Sequence, residues 1–281
     1  MLQDLEFGRL ENEYYNITAK AGDSILCFNE GQVLLSRGEV GTLKLPTLAD
    51  LTALQDYGST RYAFRINGQN YFLWFSASAF PQIDGFTYEP VRHLRQLEHK
   101  EICLAAMTGL HLYNWYRTNR LCGCCGTPTE HDDNQRMLHC PNCKNVIFPR
   151  ISPAVIVAVT DGDRLLLSKY AGRDYTRYAL LAGYTEIGET IEETVHREVM
   201  EEVGLRVKNL RYYKSQPWGV DGNLLMGFFC DLDGSDTIRI DENELSMAAW
   251  YHRSDLPAHD DGFSLTREMI GVFEAGNEPK F

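Results

Sequence analysis

Two stretches of this sequence carry residue types that bind metal ions. The first, residues 183–205, reads GYTEIGETIEETVHREVMEEVGL; seven of its 23 residues are glutamate, and its single strong base is Arg197. Ordinary solvated helices set lysine or arginine four residues after glutamate, which relieves like-charge repulsion. That relief is missing here, so the crowded carboxylates call for cations, and hard divalent metals take oxygen ligands. Glu198, Glu201 and Glu202 stand at i, i+3 and i+4, on one helical face. Their arc adjoins the apolar stripe Ile191, Val195, Val199, Val203, at the edge of a core where a pocket wall would lie. Gly204 suits the position just past the helix, and Gly183 and Gly188 permit tight turns before it. Magnesium or manganese held there would neutralise a diphosphate and activate water for attack on phosphorus. A merely acidic solvent face is the alternative, and the missing basic partners weigh against it.

The second stretch holds Cys122-x-x-Cys125 and, fifteen residues on, Cys140-x-x-Cys143, half of the chain's eight cysteines. This is the spacing of a four-thiolate zinc site. Gly123 and Gly126 at one knuckle and Pro141 at the other form turns that let two thiolates converge on one ion. Four thiolates leave no open coordination position, so such zinc is structural. Redox chemistry or disulfides are the competing readings, but redox work does not need two pairs in tandem, and a cytosolic chain keeps its thiols reduced. Cys124 could substitute as a ligand, yet the spacing favours its neighbours. Cys27, Cys103 and Cys230 lie in apolar surroundings and read as core residues.

The elements that position these residues can be read around them. RYAFRI, Asn67-Gly68 and QNYFLWF form a hairpin signal, DSILCF and QVLLS read as short strands, and Tyr71, Phe72, Trp74 and Phe75 read as core or interface. From about Glu98 to Asn119, Ile102, Ala106, Gly109, Leu112, Tyr113 and Tyr116 recur at helical spacing. From residue 151, AVIVAV, an Asp161-Gly162 turn and RLLLS predict a buried strand pair, with a short strand ALLA ending at Gly183. Strands near LRYYKSQ, LLMGFFCDL and MAAWYHR and a last helix over about Ser264–Ala275 complete an α/β/α layering. The expected organisation is an N-terminal mainly β domain ending in a helix (1–119), a zinc ribbon (120–150) and an α/β catalytic domain (151–281).

Composition bounds the partners. With 281 residues, 44% hydrophobic and 23% charged, the chain has material for a core. Lysine plus arginine number 27 against 39 acidic residues, a net charge of −12 that argues against general duplex binding. The ribbon itself carries Arg120, Arg136, Lys144 and Arg150 against Glu130, Asp132 and Asp133, too balanced for a strong RNA claim. No apolar run approaches the ~20 residues of a membrane span, and the acidic start MLQDLEFGRLENEYY has no apolar signal core. A cytoplasmic protein without membrane partners is the expectation.

The spacing Gly183, five residues, Glu189, seven residues, then Arg197-Glu198-Val199-Met200-Glu201-Glu202-Val203-Gly204-Leu205 resembles the complete Nudix box. That family hydrolyses nucleoside diphosphates linked to another moiety with divalent cations. The resemblance implies Glu198 and Glu202 as metal ligands, Glu201 as ligand or water activator, and Arg197 as the residue that orients them. The ribbon, LLAGYTEIGE, REVMEE and Ser215-Gln216-Pro217-Trp218 resemble, more narrowly, the zinc-ribbon NADH pyrophosphatases, over roughly residues 90–281. These are homodimers that split NAD(H) into nicotinamide mononucleotide and AMP, and some remove NAD caps from RNA. The resemblance further implies the Ala182 carbonyl and Glu244 as metal ligands. It implies Tyr184 and Phe148 as aromatic substrate contacts, and Gln216 and Trp218 as substrate-binding residues.

One segment departs from that pattern. Where the family continues SQPW with Pro-Phe-Pro-x-Ser, this chain has Gly219-Val220-Asp221-Gly222-Asn223, and Ser264-Leu265-Thr266 stands in place of Ser-Ile-Ala. Two glycines and an aspartate make a flexible, polar wall where two prolines and an aromatic make a stiff one. Asp221 could accept bonds from ribose hydroxyls or repel phosphate. The hydrolysis of ADP-ribose, FAD or another nucleoside diphosphate therefore stands beside that of NAD(H). A catalytically silent ligand-sensing or nucleic-acid-binding protein is the reading from another class, which an eroded glutamate set would favour; none is eroded here.

Overall fold

A computed structural model describes residues 1–38, 42–52, 58–76, 80–96, 99–172, 177–257 and 262–280. The chain divides into two compact units: Leu2–Arg150 with Trp218–Gly222, and Ile151–Pro217 with Asn223–Phe281 and Met1.

The first unit opens with β1 (Leu10–Glu11), β2 (Ser24–Leu26), β3 (Phe28–Asn29), β4 (Gln32–Arg37), β5 (Leu43–Lys44), a short helix α1 (Leu48–Thr52), β6 (Ser59–Ile66), β7 (Gln69–Phe75) and β8 (Thr87–Pro90). These form two sheets, one in the order β1-β6-β7-β2, the other β3-β4-β5 with β8 against β4. The β6–β7 hairpin turns on Asn67 (φ 51°) and Gly68 (φ 79°), both left-handed as a two-residue turn of this hand requires. Tyr71, Phe72 and Trp74 are buried, and Phe72 and Trp74 share a cluster with Ile25, Leu34, Leu51 and Tyr62. Helix α2 (Lys100–Thr118) packs on β6 and β7; the expected start at Glu98 lies outside the described residues. At Gly109 a Cβ would come within 2.5 Å of Leu26 Cδ1, so the glycine sets the close approach of α2 to the sheet. The ribbon belongs to this unit, its strands β9 (Glu130–His131), β10 (Leu138–His139) and β11 (Val146–Ile147) forming a three-stranded sheet with β10 central.

The second unit is built on β12 (Ser152–Asp161), β13 (Arg164–Tyr170), β14 (Leu181–Tyr184), helix α3 (Ile191–Val203), β15 (Val207–Trp218), β16 (Asn223–Leu232), β17 (Leu245–His252) and helix α4 (Leu265–Glu274). The sheet runs β15-β16-β12-β13-β17. β12 lies parallel to β16 along nearly its whole length, and its other edge is shared between β14 and the end of β13. Alternation along β12 sorts its side chains to two cores. Val155, Val157 and Val159 join Val195, Val199 and Val203 of α3, while Ile156 and Ala158 join Leu265, Met269, Ile270 and Phe273 of α4. The sheet is thus sandwiched between the two helices, the α/β/α layering that the sequence predicts.

Candidate active site

Helix α3 is fixed at both ends by its own sequence. Thr190 caps the start: its hydroxyl accepts from the Glu193 N–H at 3.2 Å, while the Glu193 carboxylate accepts from the Thr190 N–H at 2.8 Å, a reciprocal capping box. Gly204 ends the helix with φ 68°, and its N–H closes on the Met200 carbonyl. The valine stripe is sealed in the core, which rolls Glu198 and Glu202 inward to 8% and 2% exposure and leaves Glu201 in solvent.

Arg197 organises the carboxylates around it. Its guanidinium grips Glu189 by both oxygens (2.5 and 2.9 Å), bonds Glu198 Oε1 at 2.7 Å and Glu201 Oε2 at 2.9 Å, and reaches the Tyr184 carbonyl at 2.8 Å. The loop from Tyr184 to Glu189 is thereby tied to the helix. Glu189, which the residue-by-residue reading gave no role, is the principal anchor of Arg197. Its signal was present in the sequence: a carboxylate placed before the helix with no cation nearby except Arg197. That grip, with the Glu186 N–H, holds the Glu189 carboxyl down to about 2 and keeps Arg197 firmly charged. Glu198 moves the other way. Burial pushes its pKa up, and the charges of Glu201 and Glu244 add to the rise against the pull of Arg197.

Neighbouring strands bring further predicted residues to this helix. In β14, Ala182 pairs with Ile156 of β12, and its N–H donates to Glu202 Oε1 at 3.4 Å. The loop that carries Glu244 is tied to the end of α3 by the Arg239 N–H on the Val203 carbonyl and the Asp241 N–H on the Glu202 carbonyl, both 2.9 Å. Gly183 leaves the space that the Glu198 carboxylate fills: a Cβ there would lie 1.9 Å from Glu198 Cδ. Buried Glu198 and Glu202, with the charges of Glu201 and Glu244 bearing on Glu198, have the donor chemistry of a divalent-cation site.

The sulfur site is more tightly drawn. Among the described residues, Cys122, Cys125, Cys140 and Cys143 form the group of three or more metal-binding side chains whose ligand atoms all lie within 4.8 Å of one another; the α3 glutamates do not converge in this way. Cys122 and Cys143 sulfurs stand 3.6 Å apart, and those of Cys125 and Cys140 3.4 Å, close to the ~3.8 Å that a tetrahedral zinc with bonds of about 2.3 Å would set. The Cys124 N–H donates to the Cys122 sulfur at 3.4 Å, which lowers the pKa of that thiol, and the Cys143 N–H donates to the Cys140 sulfur at 3.4 Å. Cys124 itself is exposed and outside the cluster.

Two regions of the chain match known protein families. Residues 150–270 match the NUDIX domain, and residues 117–148 the NADH pyrophosphatase zinc ribbon domain. The chain is 37% identical over 179 residues to the NAD-capped RNA hydrolase NudC of Pectobacterium atrosepticum, covering 63% of this chain and 68% of that one. The chain belongs to the Nudix family. The protein of the same name from Chromobacterium violaceum is 42% identical over 166 residues (59% of this chain, 62% of that one). That from Salmonella paratyphi C is 39% identical over 162 residues, a match that spans 58% of this chain and 63% of the relative.

The remaining predicted residues of this Nudix protein fall in varied settings. Tyr184 is half-exposed at the end of β14, and its hydroxyl accepts from Asn223 Nδ2 at 3.3 Å. Gln216 is fully buried: its Nε2 donates to the Phe263 carbonyl and its Oε1 accepts from the Leu265 N–H, both at 2.7 Å, holding the start of α4. Phe148 and Trp218 lie in the first unit, Phe148 more than half exposed. The 219–222 segment corrects the expectation of a flexible wall. Asp221 pairs with Arg92 and accepts from Trp218 Nε1 at 3.0 Å, so both its oxygens are engaged within the unit. Gly219 lies so close to α2 that a Cβ would sit 2.2 Å from the Met107 carbonyl oxygen. Glycine here serves close packing, and Asp221 pins the loop.

Proposed function

We propose that this protein hydrolyses the diphosphate bond of NAD(H), releasing nicotinamide mononucleotide and AMP, and that NAD-capped RNA is a second substrate. The observation that carries the proposal is the intact carboxylate set of α3, with Glu198 and Glu202 turned inward and the Glu198 carboxylate seated against Gly183. The names of the relatives and the ribbon profile support the dinucleotide.

In this reading Glu198, Glu202 and Glu244, with the Ala182 carbonyl, hold magnesium or manganese. Such ions supply charge neutralisation for the diphosphate and make a bound water more acidic. Arg197 sets the carboxylates and the Tyr184–Glu189 loop in register, and Glu201 or Glu202 takes the proton of the attacking water at a carboxylate oxygen. Tyr184 and Phe148 are the proposed aromatic contacts and Trp218 a further proposed substrate contact, while the buried Gln216 acts by holding the start of α4. Zinc on the four cysteines is structural. The division into a β domain (1–119), ribbon (120–150) and catalytic domain (151–281), a homodimer, and a cytoplasmic location complete the proposal. The eight free cysteines suit a reducing compartment, and no described helix is long and apolar enough to cross a membrane.

The test is incubation with NAD, NADH, ADP-ribose, FAD and NAD-capped RNA in magnesium or manganese, with chromatography of the products. Release of AMP from NAD or NADH is expected. The altered 219–223 segment favours keeping ADP-ribose and FAD in the panel. Failure to cleave any diphosphate bond would refute the proposal.

A further inference from the structure

The two knuckles of the ribbon match in backbone and differ in side chain. In each, the residue five places after the first cysteine closes the turn. The Cys122 N–H donates to the Thr127 carbonyl and the Cys140 N–H to the Asn145 carbonyl, both at 2.8 Å. Gly126 and Lys144, one place earlier, are both left-handed, with φ of 74° and 64°. The N–H groups of Thr127 and Asn145 bond Cys125 and Cys143 alike. Each knuckle also has one buried cysteine, Cys122 or Cys140, and one exposed, Cys125 or Cys143.

Thr127 and Asn145 are thus equivalent residues, and their side chains break the equivalence. Thr127 turns to its own knuckle: its Oγ1 stands 3.4 Å from Cys125 Sγ, and toward a thiolate the hydroxyl is the donor. Asn145 crosses to the other knuckle, where its Nδ2 donates to Cys122 Sγ at 3.7 Å. Both side-chain donors therefore fall on the first knuckle. Among the described residues, no side chain other than cysteine bonds the sulfur of Cys140 or Cys143. The adjacent cation, Lys144, directs its Nζ to the Pro141 carbonyl at 2.8 Å.

The thiolate is the nucleophilic form of cysteine, and zinc keeps every ligand sulfur in that form. Among thiolates, the one that receives more hydrogen bonds holds its charge more tightly and attacks more slowly. Burial covers Cys122 and Cys140, the Thr127 hydroxyl quiets Cys125, and Cys143 has exposure without a side-chain donor. We infer that Cys143 is a modification site, the thiolate at which a soft carbon electrophile such as an electron-poor alkene opens the ribbon. The sulfur lone pair forms the S–C bond, the alkene π pair moves to the neighbouring carbon, and that carbon takes a proton from water. The thioether so formed is neutral and a poor zinc ligand, so the site loosens.

The experiment treats the zinc-loaded full chain with less than one equivalent of N-ethylmaleimide. The chain carries Cys124→Ser, which removes the exposed thiol outside the cluster. Peptide mass spectrometry locates the adduct, and a chromogenic chelator reads the zinc released. Cys143 should react about three- to tenfold faster than Cys125, the effect of one hydrogen bond to a charged group after the usual attenuation in nucleophilicity. Zinc should appear in step with the Cys143 adduct. Thr127→Val keeps the shape and the backbone N–H but loses the hydroxyl, and should raise Cys125 to the rate of Cys143. Asn145→Thr copies the first knuckle into the second, and should slow Cys143 to the rate of Cys125.

Equal rates at Cys125 and Cys143 in the starting chain would overturn the inference, and this comparison needs no variant of the knuckle residues to fold. Zinc release ahead of the Cys143 adduct would overturn it too. So would an order of reaction that neither Thr127→Val nor Asn145→Thr moves, because access to the sulfur alone would then set it.

Discussion

The ribbon and helix α3 each gather metal-binding side chains, by opposite means. In the ribbon the backbone does the gathering. Two tight knuckles, each closed by a carbonyl–amide bond (Gly126 N–H to Cys122, Lys144 N–H to Cys140), bring four sulfurs within 4.8 Å of one another. On α3 the helix sets the carboxylates on one face, but Arg197 draws Glu198 and Glu201 toward itself, and the oxygens do not converge. A closed, short-range set of soft ligands suits an ion that stays and supports the fold. An open set of hard ligands, balanced by one cation, suits ions that arrive with a substrate and leave room for water.

If that contrast is right, the two sites fail differently when a ligand is removed. Cys140→Ser has the largest effect. Structural zinc sites are worth about 10–16 kcal/mol in small modules, so losing one thiolate should abolish zinc retention and unfold the ribbon. Metal analysis after dialysis, together with melting curves, checks this; a variant that keeps its zinc and its melting temperature would break the comparison from the ribbon side. Glu202→Gln should leave the fold intact and cut NAD turnover by about 10²- to 10⁴-fold, the range for a ligand or base in the reaction. A near-native rate would remove Glu202 from the chemistry.

Gly183→Ala probes the open site without touching a carboxylate. The new methyl would occupy the place of the Glu198 carboxylate, with Oε1 and Oε2 only 2.1 and 2.2 Å from it. That carboxylate is the far end of a flexible side chain, so the fold should bear the change at about 1–3 kcal/mol. Manganese affinity should drop about 10- to 100-fold as Glu198 turns away, read by titration against the paramagnetic signal of the free ion. Unchanged affinity would mean that Glu198 is not a ligand.

What the sequence revealed of these sites follows the range of the interactions. The α3 face, the Gly204 stop and the two knuckles depend on residues a few positions apart, and periodicity or spacing exposes them. The Thr190–Glu193 capping box was equally local, a T-x-x-E at the helix start. The Asn67-Gly68 hairpin was legible because only such residues adopt two successive left-handed conformations cheaply. Pairings between distant residues were not legible. Nothing local joins Arg92 to Asp221, seals Gln216 onto the start of α4, or lays β16 parallel to β12, and the short helix α1 has too few residues for a period to show. Gly219 read as a source of flexibility because its neighbour, the α2 backbone, is more than a hundred residues away in sequence.

The finest distinction between the sites is one of pH, through the Arg197–Glu189 clasp. Arg197 and the Glu186 N–H hold the Glu189 carboxyl at about 2 in the folded chain, against about 4.3 for a free glutamate. The folded state therefore binds fewer protons than the unfolded state between these values. The clasp contributes fully above about pH 5, and its contribution fades as pH falls through the folded value. Glu189→Gln removes the charge but keeps the shape. The melting-temperature gap between wild type and variant should be level from about pH 7 to pH 5 and should narrow steadily below that. A gap that stays level to about pH 3 would mean that packing of the loop, rather than the ion pair, ties it to α3; Arg197 would then be free to orient Glu198 and Glu201 without Glu189 as its anchor.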